Sequence, residues 1–196
     1  MYSQNGEDDI VAGLFPPEFK GSLLEIGAYL PKQLSNSRLL IERGWKAVLV
    51  EFSPAAVREL VKEYGNSPQV TVVCAAVTLL ADSAVPYYVT DDALSTSDPA
   101  HMRLWREKGG YYGELWVPSY PLEDLLHDFC RGPLDFCSVD TEGSSAILGI
   151  GIMQRVQPRV MCIEHNGRQA EIMGVAERLG YRKVAENGEN VILAKG

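Results

Sequence analysis

The sequence predicts an α/β fold whose centre is a mostly parallel sheet. Short apolar runs alternate along the chain with stretches whose apolar residues recur at helical spacing. Alternating strands and helices favour right-handed crossovers and parallel strand pairing. Near the end of the chain, Asn187-Gly188 lies between two apolar runs, which is typical of an antiparallel hairpin. We therefore expect one domain over residues 1–196, with helices on both faces of the sheet.

The predicted strands of the first half are short and apolar, at Ser22–Gly27, Ala47–Phe52 and Val70–Val77. A helix fits Ser35–Arg43 and ends at Gly44, because glycine accommodates the left-handed backbone that closes many helices. Ser53 and Pro54 begin the next helix, with the serine as its cap and the proline in its first turn. That helix ends near Tyr64.

The same alternation returns in the second half of the chain. The predicted strands there are Leu134–Asp140, Arg159–Glu164, Tyr181–Ala185 and Asn190–Ala194. The predicted helices are Pro121–Phe129, Ala146–Val156 and Ala170–Leu179. With the first half, these strands make a seven-stranded sheet whose last strand runs antiparallel to its neighbour.

The pattern breaks between Leu79 and Leu126, which we interpret as an insertion at about 79–126. VPYYV and GELWVPSY predict two short extra strands, the second at an edge, whereas residues 94–100 and Gly109-Gly110 have the composition of loops. The insertion either forms a lid or acceptor pocket, or packs against the sheet edge. Its aromatic residues would form the pocket wall: Tyr87, Tyr88, Trp105, Tyr111, Tyr112 and Trp116.

The composition excludes several kinds of partner. The net charge of -8 argues against binding nucleic acid or an anionic membrane, because both need clustered Lys and Arg. The four cysteines include no CxxC pair, which favours a reducing compartment over a thiol-based metal site. The first residues lack the basic and apolar regions of a signal peptide, and no apolar run approaches the roughly 20 residues that span a bilayer. We expect a cytoplasmic protein.

Polar residues follow the predicted strands where a ligand would bind. In an open parallel sheet, ligands lie outside the carboxyl ends of the strands, near the point where the strand order reverses. The segments at these ends are rich in carboxylates: Glu25–Tyr29, Glu51-Phe52, Ala75–Val77, Asp140–Gly143 and Glu164–Asn166. This edge of the sheet is therefore the predicted site.

Gly27 and Glu51, which end the first two strands, favour a nucleoside site. A glycine lets a ligand approach the backbone, and a carboxylate after the second strand can accept hydrogen bonds from ribose hydroxyls. Either residue alone is explained as well by a turn or a solvated strand end. The loop GAYLPKQLS has one glycine, whereas a dinucleotide requires GxGxxG around its pyrophosphate. A positively charged nucleoside without phosphates, S-adenosylmethionine, fits best.

Asp140 and Glu142 follow the fourth predicted strand, two residues apart. Because like charges repel in a dry pocket, the two carboxylates must face one another across a bend or share a cation. One of them can take the proton of an acceptor hydroxyl, or both can hold Mg²⁺ together with Glu164. A simpler interpretation is that Asp140 caps the following helix.

His165 is the histidine placed at a strand end, after the fifth strand. A neutral imidazole is a suitable base near neutral pH, so His165 is a third catalytic candidate besides Asp140 and Glu142. It can equally be a hydrogen-bonded spacer. His101 and His127 fall in predicted helices, where we expect surface positions.

The order of several segments resembles the FkbM-type family of S-adenosylmethionine-dependent methyltransferases. These segments are SQNGEDDIV, LLEIGA, SNSRLLIERGWKAVLVEFSP, VTVVCAAV, DFCSVDTEG and RVMCIEHN. The resemblance runs over nearly the whole chain and is weakest between Leu79 and Leu126. It implies a Rossmann-like class I methyltransferase fold and O-methylation of a hydroxyl on a sugar or another small-molecule or glycan acceptor.

The same resemblance implies that residues at the strand ends bind the cofactor, and Asp140 is one of them. The implied cofactor contacts are Glu25, Gly27 and Ala28 at the methionine half, Glu51 at the ribose, Phe52 on a face of adenine, and Ala76 and Val77 at its edge. Ser35 and Asn36 either cap the helix that follows them or reach the cofactor carboxylate. Gln4, in the polar run Gln4–Glu7, either folds over the cofactor or precedes a helix start at Glu7.

Two other functions remain open at this point. A nicotinamide-dependent oxidoreductase shares the strand-end carboxylate but needs the phosphate-binding loop that this sequence lacks. A non-catalytic domain that binds S-adenosylmethionine or a protein partner would have the cofactor site without turnover.

Overall fold

Ten strands and seven helices occur within residues 1–80, 84–90, 95–108, 110 and 113–196, which the computed structural model describes. The strands are β1 Ser22–Ile26, β2 Lys46–Glu51, β3 Val70–Cys74, β4 Ala76–Thr78, β5 Ala84–Val89, β6 Gly113–Pro121, β7 Phe136–Val139, β8 Val160–Glu164, β9 Tyr181–Glu186 and β10 Asn190–Lys195. The helices are α1 Glu7–Gly13, α2 Arg38–Glu42, α3 Pro54–Tyr64, α4 Pro99–Glu107, α5 Leu122–Phe129, α6 Ser145–Arg155 and α7 Gln169–Arg178.

The main sheet has seven strands in the order β3-β2-β1-β7-β8-β10-β9. The five strands from β3 to β8 are parallel, whereas β10 runs antiparallel to both β8 and β9. The predicted mostly parallel, seven-stranded sheet with an antiparallel C-terminal hairpin is confirmed. The strand order reverses between β1 and β7, so the carboxyl ends of these two strands mark the expected binding edge.

Helices cover both faces of this sheet, as predicted. Leu23 and Leu24 are neighbours on β1 and both are buried, but they belong to different cores because successive side chains of a strand point to opposite faces. Leu23 packs in the core that contains Leu40 of α2 and Leu60 of α3. Leu24 packs in the other core, with residues of α5, α6 and α7. Burial on both faces explains why the strands are continuously apolar.

The predicted strand Val70–Val77 is divided in the structure. β3 ends at Cys74, and the amide of Ala75 still donates to the carbonyl of Glu51, the last residue of β2. Beyond that point β2 offers no partner, and β4 instead pairs in parallel with β6. The long apolar run gave no indication of this change of sheet.

A separate three-stranded sheet in the order β4-β6-β5 combines two strands of the insertion with β4, which precedes it. The two predicted extra strands are confirmed as β5 and β6, but β6 lies in the middle of the small sheet and the prediction of an edge strand was wrong. The predicted loop at 94–100 is also partly helix, because Asp98 caps α4 by accepting a hydrogen bond from Ala100 N at 2.7 Å. Leu94 and Gly109 lie outside the described residues.

The helix predicted at Ser35–Arg43 begins only at Arg38. Leu34 has a left-handed backbone with φ of 59°, so residues 35–37 form a polar turn ahead of α2. Gly44 has φ of 91°, as expected for the residue after a helix. Among the described helices, none is both long and apolar enough to cross a membrane.

Candidate active site

An open cavity of about 710 Å³ lies over the binding edge of the main sheet. Gly27, Glu51 and Asp140 line it from the ends of β1, β2 and β7. Gln4 and Glu7 contribute from the N-terminal segment, and the insertion contributes residues from β5 and the segment after it. The cavity therefore lies where the strand order reverses, the place predicted from the sequence.

Glu51 is held by three backbone amides. Its Oε2 accepts from Tyr29 N at 2.8 Å, and its Oε1 accepts from Phe52 N at 2.8 Å and from Ser53 N at 2.7 Å. Only 5% of the residue is exposed. Burial raises the pKa of Glu51, and the three hydrogen bonds oppose the rise without cancelling it. The carboxylate is thus fixed in place, and about one of its four lone-pair positions remains for a ligand.

Gly27 is required by the protein backbone itself. Its φ is +84°, and a Cβ at this position would lie 1.5 Å from the carbonyl oxygen of Asp140. The close approach joins the ends of β1 and β7, where Asp140 N donates to Ile26 O at 2.9 Å. From the sequence, we expected the missing Cβ to let a ligand approach the backbone of Gly27. In the structure, the backbone of Asp140 occupies that space.

Glu25 supports the cavity from beneath. It is 3% exposed and does not line the cavity. Its carboxylate accepts hydrogen bonds from Asn36 N at 3.0 Å and from the Ser37 hydroxyl, so it holds the turn before α2. Burial raises the pKa of Glu25 to about 7, against these hydrogen bonds.

The turn before α2 sends one residue into the cavity. Asn36 lines it, and its Nδ2 donates to Ser138 Oγ at 3.0 Å. Ser35 is buried, and its Oγ accepts a hydrogen bond from Arg38 N at 3.1 Å. This contact is the helix cap that was one of the two roles predicted for Ser35. Three other predicted cofactor residues are buried in cores and do not line the cavity: Ala28, Ala76 and Val77.

Three carboxylates converge beyond β7. Each of Asp140, Glu142 and Glu164 places an oxygen within 4.8 Å of the other two. Ser145 Oγ donates to Glu164 Oε2 at 2.7 Å. Burial, followed by the charges of Glu164 and Glu142, raises the pKa of Asp140 well above its usual range. These three carboxylates therefore need a shared proton or a cation, and the sequence predicted the second of these for Asp140, Glu142 and Glu164.

The histidines are arranged differently from expectation. His101 was expected at the surface, but its side chain is only 12% exposed, and Nε2 lies 3.3 Å from Glu142 Oε2. Burial lowers its pKa. His101 is carried by α4 of the insertion, and no local sequence signal places that helix over β7. The side chain of His127 is 80% exposed, as expected.

His165 lies outside the lining of the cavity. Its Nδ1 accepts from Gly167 N at 3.2 Å, and Nε2 lies 3.4 Å from the carbonyl oxygen of Asn187. Both ring nitrogens thus face the backbone of neighbouring turns, the arrangement of a hydrogen-bonded spacer.

The N-terminal segment closes the far side of the cavity. Glu7 is 1% exposed and accepts hydrogen bonds from Asn5 N at 2.9 Å, Asn187 Nδ2 at 2.6 Å and Asn190 Nδ2 at 3.0 Å. Burial raises the pKa of Glu7, but its hydrogen bonds outweigh that effect and lower it. Gln4 Nε2 donates to Glu189 Oε1 at 3.2 Å. The segment therefore joins the β9–β10 hairpin, on the side of the cavity away from Glu51.

Aromatic rings stand at the Glu51 end. The rings of Phe52 and Tyr87 meet edge to face at 4.3 Å. The Tyr87 hydroxyl, close to Ser53 and Ser95, is buried without a well-formed hydrogen bond. Among the described residues of the predicted aromatic wall, Tyr87 lines the cavity. Trp116 is 69% exposed and is not part of the lining. Tyr111 and Tyr112 lie outside the described residues.

Comparison with known proteins gives a consistent result. The Methyltransferase FkbM domain family matches residues 25–183. Precorrin-6y C5,15-methyltransferase from Geobacter metallireducens GS-15 aligns at a TM-score of 0.52 and 13% identity, covering 100% of this chain and 91% of that chain. The Methanococcus jannaschii fibrillarin pre-rRNA processing protein aligns at 0.50 and 11% identity, covering 92% and 68%. The METTL16 methyltransferase domain aligns at 0.51 and 13% identity, covering 96% and 63%. No curated protein matches the chain.

At these identities the similar structures show the fold alone, a Rossmann-like class I methyltransferase fold. The family match is more specific, because it covers most of the chain and includes the ends of β1, β2, β7 and β8. The resemblance drawn from the sequence is thereby confirmed. This chain belongs to the FkbM family of S-adenosylmethionine-dependent methyltransferases.

Proposed function

We propose that this protein transfers the methyl group of S-adenosylmethionine to a hydroxyl oxygen of a sugar or another small-molecule or glycan acceptor. The observation that carries the proposal is the division of one cavity into two chemically different ends. A fixed carboxylate and aromatic rings stand at one end, at Glu51, Phe52 and Tyr87. A group of carboxylates lies beside it, where Asp140 and Glu142 line the cavity.

The nucleoside of the donor is assigned to the Glu51 end. The free lone-pair position of the Glu51 carboxylate accepts a ribose hydroxyl, and the rings of Phe52 and Tyr87 contact adenine. Asn36 and Gly27 then border the methionine portion, because they lie between Glu51 and Asp140 along the sheet order. Five other residues support this half from outside the lining: Glu25, Ala28, Ser35, Ala76 and Val77.

The methyl group then faces the end of β7. The acceptor oxygen attacks the methyl carbon in line with the carbon–sulfur bond, which breaks as the new carbon–oxygen bond forms. The acceptor proton passes to a carboxylate, and neutral S-adenosylhomocysteine leaves. Asp140 and Glu142 are the nearest candidates for the base, since they line the cavity and His165 does not. Alignment of the three reacting atoms supplies most of the rate.

A divalent cation is the second way to neutralise the acidic group, by which we mean the carboxylates of Asp140, Glu142 and Glu164. The oxygens of Asp140, Glu142 and Glu164 lie within 4.8 Å of one another, and carboxylate oxygens are the ligands that Mg²⁺ prefers. In an octahedral Mg²⁺ site, neighbouring ligand oxygens lie about 3 Å apart and opposite ones about 4.2 Å apart, so the three side chains would draw together to hold the ion. A bound cation would stabilise the acceptor oxygen as it loses its proton.

Calorimetry with purified protein tests the donor. We expect saturable binding of S-adenosylmethionine and S-adenosylhomocysteine, and none of NAD. Glu51→Ala should weaken donor binding at least tenfold, because it removes the ribose acceptor and frees three backbone amides. If neither sulfur nucleoside binds, the proposal fails.

Turnover is measured separately, by mass spectrometry of a panel of free sugars and glycosides incubated with the donor. Asp140→Asn should lower methyl transfer at least a hundredfold while donor affinity changes less than threefold, the reverse of Glu51→Ala. Repeating the assay after chelation, and again with added Mg²⁺ or Mn²⁺, separates the two ways of neutralising the acidic group. Activity that survives chelation excludes the cation.

A further inference from the structure

The side of the cavity away from Glu51 is built from residues that neither the donor site nor the acidic group uses. Gln4, Glu7 and Asn190 line this side, between the N-terminal segment and the start of β10. Four steps in the sheet order separate β2 from β10, which is roughly 19 Å at the usual strand spacing of about 4.8 Å. A nucleoside at Glu51 does not reach that far. If the proposed function holds, this side receives the acceptor.

Asn190 presents an unused hydrogen-bond acceptor there. The residue is 5% exposed, and its Nδ2 donates to Glu7 Oε1 at 3.0 Å. A carboxylate only accepts hydrogen bonds, so this contact fixes which end of the amide is nitrogen. The opposite atom, Oδ1, is buried without a hydrogen-bond partner. A buried acceptor left unpaired destabilises the empty site, so a hydrogen-bond donor on a ligand that reaches Oδ1 would bind with a gain.

The charge of the lining restricts that ligand further. Four carboxylate residues line the cavity: Glu7, Glu51, Asp140 and Glu142. None of the lining residues in the described part of the chain is Lys or Arg. Glu7 is surrounded by amide donors, which satisfy its lone pairs but bring no positive charge. A phosphate or carboxylate on an acceptor would meet like charge with no cation to balance it, whereas the carboxylate of the donor is balanced by the donor's own ammonium group.

We propose that Asn190 Oδ1 is the recognition point for the acceptor, that it accepts a hydrogen bond from a hydroxyl or ammonium group, and that the acidic lining excludes acceptors carrying phosphate or carboxylate. The inference rests on the proposed function and narrows it to neutral or cationic hydroxyl compounds. Asn190 is a specificity residue in this scheme, with Glu7 holding its amide in the required orientation.

Binding of ring-matched probes to the protein saturated with S-adenosylhomocysteine tests the inference. The probes are methyl glucoside, glucosamine, glucuronate and glucose 6-phosphate, observed by saturation-transfer NMR with titration. We expect saturable binding of the neutral and cationic probes, and at least tenfold weaker binding of the two anionic probes. Equal binding of glucuronate or glucose 6-phosphate, or no binding of methyl glucoside, overturns the inference.

A matched pair of variants isolates the Asn190 amide. Asn190→Ala and Asn187→Ala each remove one hydrogen bond to Glu7, and Asn187→Ala also frees the amides of Glu189 and Asn190, but of the two residues only Asn190 lines the cavity. Asn190→Ala should weaken methyl glucoside binding about tenfold and leave affinity for S-adenosylhomocysteine within twofold. Asn187→Ala should leave both unchanged. Equal losses in both variants, or none in Asn190→Ala, contradict the inference.

The probe panel uses the wild-type protein, so it decides the question even where a variant fails to fold. Different results would contradict the proposed function and the acceptor inference. Absence of S-adenosylhomocysteine binding would contradict the proposed function itself. Normal binding of that nucleoside without discrimination among the probes would contradict only the acceptor inference.

Discussion

Gly27 lies against the Asp140 backbone at the ends of β1 and β7, and its substitution gives a direct measure of that contact. A Cβ on residue 27 would lie 1.5 Å from the Asp140 carbonyl oxygen, at a φ of +84°. Gly27→Ala should therefore lower the free energy of unfolding by more than about 3 kcal/mol, because both backbone strain and overlap must be relieved. Chemical denaturation monitored by circular dichroism measures the change.

Gly180→Ala is the matched control. Gly180 has φ of +80°, and nothing lies within 4 Å of its ideal Cβ position. Only the left-handed backbone is penalised there, at about 1–2 kcal/mol. Equal destabilisation by the two substitutions would show that the contact with Asp140 relaxes easily, and that glycine at residue 27 serves backbone conformation alone.

Glu25 predicts a pH dependence of stability. Its pKa in the folded protein is raised from the ordinary 4.5 to about 7, so the folded state binds the proton more tightly than the unfolded state. Its contribution to stability is fully present below pH 4.5 and is lost as the pH rises to about 7. At about 1.4 kcal/mol per pH unit, the loss is at most about 3 kcal/mol. Denaturation between pH 4.5 and 8 measures it.

Glu25→Gln should remove this slope, because an amide imitates the neutral carboxyl at every pH. Relative to wild type, the variant gains stability as the pH rises, whereas substitution of the exposed Glu18 by Gln should leave the wild-type profile unchanged. Several groups near Glu25 titrate or carry charge: Glu51, Tyr64, Cys137, Asp140 and Cys162. Their contributions persist in the variant, so the difference between the two proteins reports Glu25. Parallel profiles would contradict the prediction.

Residues at the site differ in how far the sequence could reveal them. Glu51 and Asp140 follow buried strands, so their position at the binding edge was predictable from local pattern and topology. Glu7 and Asn190 meet across 183 positions of sequence, and no short-range signal links them. Tyr87 lines the cavity and His101 contacts Glu142, and both belong to the insertion, whose placement depends on tertiary contacts.

At the scale of elements, Thr96 is one of the side chains that join the insertion to the turn after β7, the acidic turn that carries Asp140 and Glu142. Thr96 is fully buried, and its Oγ1 donates to the carbonyl oxygen of Glu142 at 2.5 Å while accepting from Asp98 N at 2.9 Å. Thr96→Val should lower the free energy of unfolding by about 1–3 kcal/mol, since both partners lose a buried hydrogen bond. Hydrogen exchange should also become faster at Gly143 and Ser144, next to the released carbonyl.

Thr78→Val provides the comparison within the same region. Thr78 Oγ1 donates to the carbonyl of Leu80, two residues away, so its loss affects only a local turn. Exchange around Gly143 should then remain at the wild-type rate. If Thr96→Val also leaves that exchange unchanged, the insertion and the acidic turn are not coupled through this hydrogen bond.

The elements of the main sheet were more predictable than those of the insertion, for a physical reason. A strand buried on both faces has a continuous apolar run, and each of the seven was found to within a few residues. The exception, Val70–Val77, is apolar throughout, yet its second half pairs with β6 because β2 ends at Glu51. The partner of a strand depends on where the neighbouring strands end. The sequence of the strand itself does not contain that information.

Across the whole molecule, carboxylates from three separate parts of the chain lie at one edge of the sheet. The N-terminal segment brings Glu7, β2 brings Glu51, and the turn after β7 brings Asp140 and Glu142. Repulsion within this group disfavours the empty cavity, and a ligand with positive charge relieves it. The sulfonium of the methyl donor carries such a charge, whereas the product has lost it.

This charge difference predicts that S-adenosylmethionine binds about tenfold more tightly than S-adenosylhomocysteine. A unit charge about 10 Å from a carboxylate gains roughly 2 kcal/mol at an effective dielectric constant of about 20, and tenfold in affinity corresponds to about 1.4 kcal/mol. Calorimetry of both nucleosides measures the ratio. Glu142→Gln should reduce it about threefold because one nearby charge is removed, whereas substitution of the exposed Glu177 by Gln should not. Equal affinities in the wild type, or a ratio unaffected by Glu142→Gln, would show that the acidic edge does not act on the donor, and that its charge is neutralised by a bound proton or cation before the donor arrives.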